Sequence, residues 1–111
     1  MKLRQTTTVL ALTLFSFVQP ASAIIEIWSG HKELNTNVDG CVGRAERLIQ
    51  SQFDNLVEVG RGDFHRTGYF QDGSYRIVCF ANGSGSTGVI FVAHEDLDVA
   101  TQFGEILLNE L

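Results

Sequence analysis

The chain predicts a small α+β domain, a two-layer sandwich in the order β-α-β-β-β-α, with a mostly antiparallel sheet and two helices on one face. Three observations carry that expectation. Segments of strand period and segments of helical period alternate along one short chain. The last three strand segments are joined by links too short for anything but antiparallel neighbours. The two cysteines, Cys41 and Cys79, fall one in a helical segment and one in a strand.

The first 23 residues stand apart from this pattern. Lys2 and Arg4 precede an apolar run, Val9 to Val18 (VLALTLFSFV), and Pro20 then leads into Ala21-Ser22-Ala23. Charge, apolar run and small-residue site in that order are expected of a cleaved secretory signal. The run falls well short of the roughly 20 apolar residues of a membrane-spanning helix. Cleavage before Ile24 leaves 88 of the 111 residues, 24–111, as one small domain.

Ile24 to Ser29 (IIEIWS) is rich in β-branched and aromatic residues and reads as a strand ended by Ser29-Gly30. The polar stretch HKELNTNVDG is expected as a loop. A helix follows from Asp39, because Cys41, Ala45, Leu48, Ile49 and Gln52 recur on one helical face. Asp39 or Asn37 can cap it by accepting its orphan amide hydrogens. From Gly60 the period shortens, and GDFHRTGYF is strand-like. Asp72-Gly73 is a type I′ hairpin signal, since both central residues of that turn need positive φ. Tyr75 to Ala81 (YRIVCFA) and Val89 to Ala93 (VIFVA) are the remaining strands. The closing segment, HEDLDVATQFGEILLNEL, is helical. Leu97, Ala100, Phe103, Leu107 and Leu111 share one face, and Glu95, Asp96 and Asp98 cluster where the helix dipole favours negative charge.

In an oxidising compartment Cys41 and Cys79 are expected to form one disulfide. It closes a loop of about 39 residues, worth roughly 4 kcal/mol in the chain-entropy model. A domain this small has a marginal core, so the staple matters. A redox pair would favour C-x-x-C spacing, and a reactive thiol would need an activating neighbour.

The staple also orients a strand. Cys79 must face the first helix, with Tyr75, Ile77 and Ala81 beside it, so Arg76, Val78 and Phe80 face the other way. Val89 to Ala93 is apolar on both faces. Trp28 joins the outer face if Ile25 and Ile27 point inward. A sheet covered on one side normally alternates apolar with polar residues, and this one does not. The outer face with Trp28, Val78 and Phe80 is therefore the candidate contact surface for a homodimer or an unidentified protein partner. The competing reading is that loops, or the connection from first strand to first helix, cover it.

Net charge is −5, and becomes −7 once Lys2 and Arg4 leave with the signal, six basic residues then facing thirteen acids. Such a chain repels phosphate backbones and anionic lipid, so neither nucleic acid nor stable membrane insertion is expected.

Gly83, Gly85 and Gly88 spell G-x-G-x-x-G, but a strand follows where a dinucleotide site needs a helix N-terminus. Arg61-Gly62-Asp63, an adhesion tripeptide in other settings, reads as a turn into the next strand. Asn82-Gly83-Ser84 matches a glycosylation acceptor and equally a turn. His31, His65 and His94 make no zinc-ligand spacing. His94, Glu95, Asp96 and Asp98 form the densest polar cluster and are the weak metal candidates; a solvated helix start explains them locally. No serine lies in a nucleophile elbow. No catalytic residue and no cofactor site are assigned. The expected protein is a periplasmic or secreted, non-catalytic binding domain. The alternatives are an inhibitor or immunity-type protein directed at a basic enzyme, and a small metal-binding protein acting through His94 and its acids.

Overall fold

The structure, a computed structural model, describes residues 24–52, 57–70 and 72–111. The expected signal segment lies outside the described residues. The elements are β1 (Glu26–Leu34), α1 (Val38–Gln52), β2 (Val57–Arg61), β3 (His65–Phe70), β4 (Gly73–Asn82), β5 (Gly85–His94) and α2 (Leu97–Glu110). The strands form one antiparallel sheet in the order β1-β5-β4-β3-β2. Both helices pack on the same face, α2 over β1 and β5, and α1 over β3, β4 and β5. The expected two-layer α+β fold is present, with β2 added as a short edge strand.

β1 runs beyond the expected stop at Ser29, taking in residues read as a polar loop. His31 to Leu34 pair in continuous register with β5, from His31↔Val89 to Leu34↔Ser86. Ladder pairing thus outweighs the low strand propensity of a polar stretch. The connection into α1 then shrinks to residues 35–37, too short to cover a sheet face.

Both helix starts rest on side-chain caps. Asn37 Oδ1 accepts the Gly40 N–H at 2.9 Å, so Asn37 caps α1 and Asp39 sits in its first turn. Asp96 Oδ1 accepts the Asp98 N–H at 2.9 Å and caps α2. The last turn of α2 has no basic residue of its own. Lys32 of β1 supplies one, its Nζ donating to the carbonyls of Leu108 and Asn109 at 3.2 and 3.3 Å. A cation at the negative end of a helix is stabilising, and this one arrives from the far end of the sequence.

The hairpins follow local chemistry. Asn82 pairs with Gly85, and Gly83, with φ of 61°, takes the first central position of the two-residue loop. That is where a type II′ turn requires glycine. In the β3–β4 link Phe70 pairs with Gly73, so Gly73 already belongs to the strand and the turn falls one residue earlier than expected. Asp72 carries the positive φ, 66°, which aspartate tolerates better than most residues.

The core lies between sheet and helices. Cys41, Val42, Ala45, Leu48 and Ile49 of α1 are buried against Tyr75, Ile77 and Cys79 of β4 and Ile90 and Val92 of β5. Cys41 and Cys79 form the disulfide, Cα to Cα 6.0 Å, and neither is more than 2% exposed. Ala81, expected inward, is exposed at the end of β4. Phe70 stacks on Phe103 of α2 with ring centroids 3.9 Å apart. Edge strand β2 and its neighbour β3 are tied to α1 by Glu46, which meets Arg61 at 2.6 Å and Arg66 at 3.7 Å. Arg66 is buried, and its Nη1 donates to the carbonyls of Gly62 and His65 at 2.7 and 2.8 Å.

Candidate functional site

Strand side chains alternate between two faces, and the helices cover one of them. The other face is open among the described residues. The strand registers align its side chains in rows across the sheet. One row runs Ile27, Ala93, Ser74, Tyr69; the next runs Ser29, Phe91, Arg76, Thr67; a third runs His31, Val89, Val78, His65; the last runs Glu33, Thr87, Phe80.

Large apolar side chains stand on this face with no layer above them among the described residues. Ile27 is 68% exposed, Tyr69 59%, Phe80 53% and Phe91 41%, whereas Ile77 and Ile90 on the opposite face are fully buried. Val78 and Phe80 thus lie where the sequence places them. Trp28 does not. Pairing of Trp28 with Val92 and of Val92 with Tyr75 puts the indole on the helical face, where it packs against the core beneath α2. The space comes from glycine: a Cβ built on Gly104 of α2, or on Gly30 of β1, would overlap the Trp28 ring. Ile27 therefore takes the outward position expected for Trp28.

Residue size shapes the open face. Ala93 and Ser74 lie side by side between Ile27 and Tyr69, leaving a low floor between taller neighbours. The result is an open depression of about 450 Å³ lined by Ile27, Ser74, Ala93, Phe91, Arg76 and Thr67, with Val78 at its end. Arg76 is exposed and its Nε donates to Thr67 Oγ1 at 3.1 Å; Thr67 Oγ1 lies 3.5 Å from His65 Nδ1. Polar chemistry on the depression is concentrated there. Sequence reasoning placed Arg76 on this face with Val78 and Phe80 and missed Ile27, Tyr69 and Phe91 as members of the surface. Period-two counting from Cys79 gave Arg76, and carrying it across the hairpin was the available signal for Phe91.

The other sequence features resolve into structural duties. His94 Nδ1 accepts the Asp96 N–H at 2.9 Å, Asp96 caps α2, and the His94 ring lies 5.8 Å from that of Phe70. Among the described residues no three of His, Cys, Asp or Glu converge as a metal site. His31 and His65 share a row of the open face with β5 and β4 between them. In the Gly-rich stretch Gly83 makes the turn, while Gly88 lies under Leu111, whose Cδ2 a Cβ there would meet at 2.6 Å. Arg61 of the Arg-Gly-Asp tripeptide is held by Glu46. Among the described residues no helix is long and apolar enough to cross a membrane.

Fold and site together define a small disulfide-linked two-layer α+β domain with one sheet face open among the described residues. No protein-family model and no curated protein matches the chain. Among solved structures it is similar to Ara h 8.0201, known from its crystal structure, at 10% identity and a TM-score of 0.43, over 78% of this chain and 94% of that one. At that identity and score the likeness carries no inference about function.

Proposed function

We propose that this protein is an exported, non-catalytic binding domain whose contact surface is the open face of the sheet. One observation supports the reading above the others. The helices and core occupy one side of the sheet, while Ile27, Val78, Phe80 and Phe91 stand on the other with no covering element among the described residues. Apolar surface on that scale, carrying aromatic residues and a central arginine, has the composition of a contact site. The buried disulfide, which suits an oxidising compartment, supports export.

The reading is tested with the oxidised chain and a Phe80→Glu, Phe91→Glu variant. Mass in solution is measured by light scattering, and bound molecules are captured by cross-linking in the native compartment. Self-association or a captured partner that disappears in the variant supports the open face. Identical mass and identical captures in both proteins reject it.

A further inference from the structure

We propose that the depression on the open face takes a single-chain amphiphile with a carboxylate head, the acid on Arg76 and the chain lying over Ala93 towards Ile27. This rests on the open face being the contact surface and names the ligand it receives.

Shape and charge argue for it together. The floor of Ala93 and Ser74 beside Ile27 and Phe91 makes a trough rather than a flat patch. Its volume, about 450 Å³, falls within the roughly 300–1,000 Å³ range of small-ligand sites. An apolar chain laid there covers side chains that otherwise meet water, at about 25 cal/mol per Å² removed from solvent. At one end stands Arg76, exposed and without an ion pair among the described residues. Its Nε is engaged by Thr67, which holds the guanidinium in place and leaves the Nη fork to take a carboxylate. Besides Arg76, the described part of this face carries Glu33, four residues along β1 from Ser29, the residue in Arg76's row, and the imidazoles of His31 and His65 in the row next to it.

The same charges weigh against other occupants. A second copy seated by a twofold axis through the trough sets one Arg76 against another and brings together two chains of net charge −5. An anionic bilayer repels an acidic chain as a whole, whereas a free amphiphile presents one charge at one arginine.

The test is an amide-resolved NMR titration of the oxidised chain with sodium dodecanoate below its micellar concentration. Dodecanol, dodecyltrimethylammonium and phosphatidylglycerol vesicles are run in parallel. Dodecanoate is expected to saturate, with shifts centred on Ser74, Arg76, Phe91 and Ala93, and to bind more tightly than either neutral or cationic analogue. Arg76→Gln should weaken it about tenfold, the loss of one charge-assisted pair. Ala93→Leu, which fills the floor, should abolish it, and both variants should keep the dispersed spectrum of the parent. Absence of saturation, undiminished binding by Arg76→Gln, shifts confined to the helical side, or co-sedimentation with vesicles without dodecanoate binding each overturns the proposal. Should dodecanoate fail while association still depends on Phe80 and Phe91, the ligand assignment falls and the open-face reading stands; should both fail, both fall.

Discussion

The indole of Trp28 occupies space that Gly104 leaves open in the middle of α2. Glycine inside a helix costs about 1 kcal/mol relative to alanine, so its presence here marks a packing requirement. The requirement links the first strand to the last helix and decides which face of β1 is inward.

Gly104→Ala is accordingly expected to destabilise the domain by about 1–2 kcal/mol, overpacking against Trp28 exceeding the gain in helix propensity. Urea unfolding measures it. In a Trp28→Leu background the same substitution should cost less, and a double-mutant cycle showing no coupling would contradict the contact.

Replacing both cysteines, Cys41→Ala with Cys79→Ala, should lower stability by about 2–5 kcal/mol. The midpoint of thermal unfolding reports it. Both cysteines are buried, so reduction of the folded protein should be slow and should accelerate in denaturant.

Lys32→Met removes the cation at the carbonyl end of α2 and keeps the apolar stem. A loss of about 0.3–1 kcal/mol is expected, screened by salt. Hydrogen exchange should increase at the last turn of α2 with no matching change at its Asp96 cap.

The two faces of β5 should respond oppositely to truncation. Ile90→Ala, on the buried face, should cost about 2–5 kcal/mol. Phe91→Ala, one residue on and facing outward, should cost under about 1 kcal/mol while reducing whatever the open face binds. Equal costs would mean that the open face is covered.

Much of the fold was legible because it depends on local geometry. A helix repeats every 3.6 residues and a strand every two, so Cys41, Ala45, Leu48 and Ile49 declare one face of α1, and Tyr75, Ile77 and Cys79 one face of β4. The site was legible in part. Val78 and Phe80 followed from the orientation of Cys79. Trp28 did not follow, because Ile27 and Trp28 are both apolar and alternation within IIEIWS does not say which is inward.

The sequence by itself determined the period of both helices and of the strands from β3 to β5, the pairing of the two cysteines and, through them, which side of β4 the helices cover. Tertiary structure decided the rest. Pairing with β5 extended β1 through polar residues, and the gap at Gly104 turned Trp28 inward. Lys32 capped a helix 76 residues away, and Ala93 and Ser74 came to lie side by side in the row next to Arg76. Each of these joins residues distant along the chain, where register and available volume choose between arrangements that local propensity leaves nearly equal in energy.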